Sequence, residues 1–275
     1  GLYPVPMPYV LGLEGAGVVA SVGEGVDRWS VGDRVAWPGA PGSYATKVAV
    51  PAERIVAVPS SVDLDQAAAI ALQGMTAHYL VTDTFALGSG DRCLVHAGAG
   101  GVGLLLIQMA KLLGAEVFTT VGTPEKAELA RAAGADHTVL YRDVDFAEAI
   151  TDIAGPRPLD VVYDGVGKSV FDQSLTLLRP RGMMATFGNA SGPVDPVSPL
   201  VLSSNGSIFL TRPTLFDYIA DRAELERRAG DLYGWIGSGR LDVRVGHRFA
   251  LADAADAHRA IEGRTTTGKV LLTTG

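Results

Sequence analysis

The chain has 275 residues, with 23 Lys and Arg against 30 Asp and Glu, a formal charge of −7. That length suits one large domain or two ordinary ones, and a content of 47% hydrophobic and 19% charged residues excludes a disordered chain. The acidic balance, with no basic cluster beyond Arg227-Arg228, argues against nucleic acid or an anionic membrane as a partner.

From the start to Pro59 the pattern is one of short strands and turns. Gly12–Val22 is glycine-rich with apolar alternation, Val31–Val35 is a turn entering a strand, Tyr44–Val50 reads as a strand, and Ile55–Val58 is a strand stopped by Pro59. This is the signature of a small β domain. The rhythm changes at Ser61: Asp63 or Asp65 can cap a helix that runs through Ala67-Ala68-Ala69 and past Thr76 towards Thr82.

Strands and helices then alternate. Strands are expected at Arg92–His96, Glu116–Val121, His137–Leu140, Leu159–Tyr163, Met183–Phe187 and Ser207–Leu210. The helices between them are expected at Val102–Leu113, Pro124–Ala133, Asp145–Ala154 and Ser169–Leu178. Short apolar strands at this spacing describe a parallel, doubly wound sheet covered on both faces. After Pro213 come a charged amphipathic helix (Arg222–Ile236), a strand (Val243–Phe249), a helix (Ala252–Glu262) and a closing strand at Val270-Leu271-Leu272. The fold expected is therefore α/β: a Rossmann domain over residues 74–213 inserted into a partial β-rich domain made of residues 1–73 and 214–275.

The sharpest motif lies in Val95–Gly103, where Gly98, Gly100 and Gly103 form G-x-G-x-x-G directly after a strand and before a helix. Glycine allows the tight turn, the approach of backbone to a pyrophosphate, and close helix–strand packing. The helix N-terminus then offers free N–H groups and positive dipole to phosphate. The alternative for such a turn, a packing turn without ligand, is disfavoured by the surrounding strand–helix rhythm. An NAD site presents an acid at the end of the second strand for the ribose diol. Here that strand ends Thr120-Val121-Gly122-Thr123, and Lys126 follows, which points to the 2′-phosphate of NADP(H), with Thr123 as a hydrogen-bond donor.

The five histidines are scattered without metal-ligand spacing, so no metal site is expected. The single Cys93 excludes an intramolecular disulfide framework, reads as a small core residue, and fits a reducing, cytoplasmic setting. His96 reads as a hydrogen-bonded, half-core residue. The longest apolar run, Val102–Ala110, is too short to span a bilayer, and there is no secretory leader.

Together these stretches resemble the zinc-free medium-chain dehydrogenases/reductases, in the NADPH:quinone oxidoreductase (zeta-crystallin-like) branch. The residues that carry the resemblance are Gly1-Leu2-Tyr3-Pro4, Gly12–Val19, Leu72–Leu80, the glycine loop, Val161–Gly167, Phe187–Gly192, Leu210–Pro213 and Gly268-Lys269-Val270. Zinc relatives carry G-H-E-x-x-G where this chain has Gly12-Leu13-Glu14, and leucine cannot coordinate a cation, so Glu14 is expected to act as an acceptor for backbone N–H groups.

The resemblance implies a GroES-like catalytic domain, NADPH as cofactor, a homodimer formed through the edge strand at Ser207–Leu210, and a cleft between the domains as the site. It implies that Thr76 lies near the nicotinamide, that Ala99, Gly100, Gly101 and Val102 hold the pyrophosphate, and that Gly122 and Lys126 hold the ribose phosphate with Tyr141 on the adenine side. It places Gly167, Phe187, Gly188 and Asn189 along the nicotinamide half, with Phe209, Leu210 and Thr211 bordering the cleft. Tyr3 would stand over the substrate edge as the catalytic candidate, and Arg264 and Lys269 near the cofactor phosphates. The family also has strands and an Asn-x-x-Asp-x-Tyr segment ahead of the Gly-Leu-Tyr motif. This chain opens at that motif, on Gly1 rather than Met, so an upstream piece is expected to be missing, leaving an unpaired sheet edge and an open site. The implied activity is NADPH-dependent quinone reduction. The alternatives are reduction of an enone or alkenal C=C bond and a non-catalytic NADPH-binding protein.

Overall fold

A computed structural model describes residues 7–275, so the opening motif, and with it Tyr3, lies outside the described residues. The chain divides into two units: one runs to Met75 and resumes at Tyr218, the other is Thr76–Asp217.

In the discontinuous unit, β1 (Glu14–Val18), β2 (Arg34–Pro38) and β3 (Val56–Ala57) form an antiparallel sheet in that order. Its core gathers Trp29, Val35, Trp37, Ala40 and Ile55. The indole N–H groups are satisfied inside the unit, Trp29 by the Ala52 carbonyl at 3.0 Å and Trp37 by Ser43 Oγ at 2.9 Å. β1 stands at one edge of this sheet, and Val10, Leu11, Leu13 and Val18 are exposed. Tyr44–Val50, expected as a strand, is irregular. The Tyr44 N–H bonds the Leu11 carbonyl at 2.9 Å and the Ser43 N–H bonds the Gly12 carbonyl at 3.3 Å, which ties down the start of the stretch without a ladder.

The helix expected to run on to Thr82 is interrupted. α1 (Leu64–Ile70) stops, α2 (Gln73–Tyr79) follows, and Leu80–Thr84 closes it as a π turn. At the break the Leu72 N–H donates to Glu14 Oε2 at 2.8 Å, a side-chain intrusion of the kind that interrupts a helical ladder.

The continuous unit alternates β4 (Arg92–His96), α3 (Gly101–Leu112), β5 (Glu116–Val121), α4 (Pro124–Ala132), β6 (His137–Leu140), α5 (Phe146–Ala154), β7 (Leu159–Asp164), α6 (Phe171–Leu177), β8 (Leu178–Thr186), α7 (Pro199–Ser204) and β9 (Phe209–Thr211). The six strands pair in the order β6-β5-β4-β7-β8-β9, all parallel. Such a sheet is covered on both faces, and successive residues of its inner strands are fully buried: Cys93, Leu94 and Val95 on β4, and Val161, Val162 and Tyr163 on β7, each 0% exposed. One face packs Leu94, Phe118, Val162 and Met184 against Phe146, Ile150, Phe171 and Leu175 of α5 and α6. The order reverses at β4, with β5 on one side and β7 on the other, and the crevice beyond the carboxyl ends at that point is where this architecture binds nucleotides.

The chain returns to the first unit through the short α8 (Leu215–Tyr218) and then α9 (Arg222–Gly237), β10 (Val245–Ala250), α10 (Ala254–Glu262) and β11 (Lys269–Thr273), with β10 and β11 pairing in parallel. On α9, Arg228 is buried with its guanidinium 5.6 Å over the Tyr218 ring, its Nε bonded to the Tyr218 carbonyl at 3.0 Å and its fork to Glu224 at 2.6 Å. Arg222 donates to the carbonyls of Glu53 and Ile55 at 2.8 and 2.6 Å, tying the returning segment to the first one. Among the described residues no helix is long and apolar enough to cross a membrane.

Candidate nucleotide-binding site

β4 ends at His96 and α3 begins at Gly101, leaving Ala97–Gly100 to make the turn. Ala97 takes a left-handed conformation, φ 56°. The Gly98 N–H bonds the Thr120 carbonyl at 3.1 Å and the Gly100 N–H bonds the Ala97 carbonyl at 2.9 Å. A Cβ at Gly98 would stand 2.0 Å from Thr119 Oγ1, and one at Gly103 would stand 2.4 Å from the Ala97 carbonyl oxygen. Only glycine lets the loop lie this close to β5 and the helix this close to the loop. No side chain caps α3. Its first-turn amides, at Gly101, Val102 and Gly103, therefore lie at the positive end of the helix dipole with Ala99 buried behind them, an arrangement that fits a diphosphate.

Beyond β5 the backbone passes through Val121 and Gly122 with no acid. The Tyr141 hydroxyl stands over Gly122, where a Cβ would be 2.9 Å from it and 3.3 Å from Arg142 Nε. Lys126 lies in the first turn of α4, its N–H capped by Thr123 Oγ1 at 3.4 Å. A hydrogen bond from the Thr123 hydroxyl also holds the Glu125 carboxyl below the usual range. Arg142 is the residue the sequence reading missed; the signal was its place directly after Tyr141 at the end of a sheet strand.

On the other side of the switch point, the buried Asp164 ends β7. Its Oδ1 accepts the N–H groups of Val166 and Gly167 at 2.7 and 2.9 Å, and Oδ2 accepts the Thr186 hydroxyl at 3.0 Å. Burial pushes this carboxyl up, and the backbone bonds from Gly167 and Val166 pull against that. The loops after β7 and β8 zip together: Phe187 N–H to the Asp164 carbonyl (2.8 Å), Ser191 N–H to Val166 (2.8 Å) and Lys168 N–H to Gly192 (3.1 Å). Gly188 is essential to that zipper, since a Cβ there would lie 2.3 Å from the Gly165 carbonyl oxygen. Gly167, with φ 86°, Phe187, Gly188 and Asn189 are thus brought together, with the Phe187 ring against Gly165.

Thr76 is buried in α2. Phe209, Leu210 and Thr211 form the edge strand β9, Leu210 packed on the core and Phe209 58% exposed. Arg264 and Lys269 belong to the other unit. Arg264 is exposed after α10 with φ 57°. Lys269 is ion-paired with Glu14 in a half-buried setting. Glu14, as expected, accepts a backbone N–H, that of Leu72.

A six-stranded parallel sheet of this order, with a glycine-cushioned and uncapped helix at its switch point, defines a dinucleotide-binding domain of the dehydrogenase class. Residues 1–60 match the family model described as alcohol dehydrogenase GroES-like domain, and residues 101–227 match zinc-binding dehydrogenase. A quinone oxidoreductase of Pseudomonas aeruginosa is 44% identical over 274 residues, 99% of this chain and 84% of the relative. A 2-haloacrylate reductase of a Burkholderia species is 43% identical, over 96% of this chain and 81% of the relative. The crystal structure of Escherichia coli quinone oxidoreductase complexed with NADPH superimposes with a TM-score of 0.96 at 41% identity, covering 99% of this chain and 85% of that one. The chain belongs to the quinone oxidoreductase family of medium-chain dehydrogenases/reductases. Among the described residues no three His, Cys, Asp or Glu side chains are gathered to hold a metal ion.

Proposed function

We propose that the protein binds NADPH in its Thr76–Asp217 unit and uses it to reduce quinones without a metal ion, as a cytoplasmic homodimer acting on small molecules. The observation that carries this reading is the uncapped N-terminus of α3 behind the Gly98–Gly103 loop, with Gly122 rather than an acid directly after β5 and Lys126 and Arg142 near it. The amides around Ala99, Gly100, Gly101 and Val102 take the diphosphate. Lys126 and Arg142, beside Gly122 and Tyr141, take the 2′-phosphate. Thr76, Gly167, Phe187, Gly188 and Asn189 line the nicotinamide half.

Bound NADPH supplies the reducing equivalents, and the quinone oxygens themselves take the developing negative charge, so no strong protein acid is required. The chain contributes orientation and exclusion of water. The haloacrylate reductase relative favours a second reading, reduction of an activated C=C bond, in which water or Tyr3 supplies the proton.

NADPH oxidation measured with a panel of quinones and a panel of enones separates the readings. Turnover with quinones is expected; turnover with enones alone moves the assignment to the second reading, and saturable NADPH binding without any turnover makes the protein a binder. Lys126→Ala is expected to weaken NADPH about tenfold, the worth of one charge-assisted phosphate contact, and to leave NADH unchanged. Equal effects on both cofactors in titration calorimetry would remove the phosphate assignment.

A further inference from the structure

His96 is 2% exposed, the last residue of β4 before the glycine loop, and no step above uses it. Its Nδ1 lies 2.8 Å from Thr120 Oγ1 and its Nε2 lies 2.9 Å from Ser174 Oγ. The tautomer follows from counting protons. The Ser174 hydroxyl has one proton, and it donates that proton to the Val170 carbonyl at 2.7 Å. Ser174 Oγ can therefore only accept from the ring, so Nε2 carries the imidazole proton. Nδ1 is left as an acceptor, and the Thr120 hydroxyl is its donor. The chain runs in one direction: Thr120 hydroxyl to Nδ1, Nε2–H to Ser174, Ser174 hydroxyl to Val170. The edge of the Phe146 ring closes the pocket, 5.1 Å away at 87°.

Each end of this chain holds a loop of the nucleotide site. The Thr120 carbonyl accepts the Gly98 N–H, so one threonine grips both the glycine loop and the imidazole next to it. Ser174 and Val170 belong to the start of α6, where the Val170 and Phe171 N–H groups bond the Gly167 carbonyl at 3.1 and 3.2 Å. The His96 side chain bonds both sides.

We propose that His96, neutral and protonated on Nε2, is a positioning residue that sets the spacing between the pyrophosphate loop at Gly98–Gly103 and the nicotinamide-side loop at Gly165–Gly167. This rests on the cofactor reading above, and it assigns His96 no contact with cofactor or substrate. Nitrogen-15 NMR of the imidazole in the intact wild-type protein tests the tautomer without any cofactor. An Nε2–H signature is expected; an Nδ1–H or a doubly protonated ring at neutral pH overturns the proposal. Thr120→Val and Ser174→Ala each remove one end of the chain at nearly constant shape. Each is expected to weaken NADPH about tenfold, with kcat at saturating cofactor little changed. Thr120→Ser, which keeps the hydroxyl, should restore the affinity.

Ile150→Val, a buried truncation in the same unit, controls for lost stability and should leave NADPH affinity unchanged. Unaltered NADPH affinity in both hydroxyl deletions, or no recovery in Thr120→Ser, sinks the proposal. If the wild-type protein binds no NADPH at all, the cofactor reading fails instead, and the NMR result stands by itself. If a deletion variant does not fold, the wild-type tautomer still decides.

Discussion

Asp164 shows how one side chain can shape a loop. Both backbone N–H groups fall on Oδ1, and Oδ2 meets only the Thr186 hydroxyl. Asparagine keeps the first oxygen, and its NH2 can donate to the threonine in reverse. Asp164→Asn is therefore expected to hold its urea midpoint at neutral pH, because it also removes a buried charge. Asp164→Ala, which orphans two amides and a hydroxyl, should lose about 2–4 kcal/mol in the same measurement.

His96 makes stability depend on pH. Burial holds its pKa down to about 3 from the ordinary 6.5, so between those values the unfolded chain takes up a proton that the folded one refuses. The stability it contributes is complete above 6.5 and is lost as pH falls towards 3. Urea midpoints over that window should decline in the wild type, and less steeply in His96→Gln.

Among the elements, β9 is a short edge strand: three residues at one end of the parallel sheet, paired with β8, with Phe209 exposed. An open edge with an exposed aromatic is suited to pairing with a second copy. Sedimentation equilibrium is expected to find a dimer, and Phe209→Lys, which places like charges across that edge, should yield monomers with an unchanged urea midpoint. A monomeric wild type would refute this use of β9. The elements differ in how legible they were. β4, β5 and β7 are buried on both faces and read directly as short apolar runs closed by glycine or polar turns. The break between α1 and α2 depends on Glu14, 58 residues from its partner Leu72, and no local pattern announces it. Tyr44–Val50 has strand-like composition but pairs with no strand among the described residues. The site divides in the same way. The glycine loop is visible because its three glycines recur at fixed spacing between a strand and a helix. The partners of His96 lie 24 and 78 residues away, and those of Lys269 and Thr123 are carboxylates that only the fold or the local cap geometry reveals.

At the scale of the molecule, the discontinuous unit is held by bonds between segments far apart in sequence: Glu14 with Lys269, and Arg222 with Glu53 and Ile55. The Glu14 and Lys269 side chains are 21% and 12% exposed, so removing one partner strands a charge. Lys269→Met is expected to cost about 3 kcal/mol by urea denaturation, while Glu14→Gln combined with Lys269→Met should recover most of it. Additive losses in that double-mutant cycle would show the pair to be uncoupled. The same clasp has a consequence for biosynthesis. Glu14 is made 255 residues before Lys269, whereas every strand of the parallel sheet has been made by Thr211. The inserted domain can therefore mature on the nascent chain while the earlier segment, with Trp29 and Trp37, waits half-built. That orphaned interval is when a chaperone would find this protein, and slowing translation after Thr211 should lengthen it.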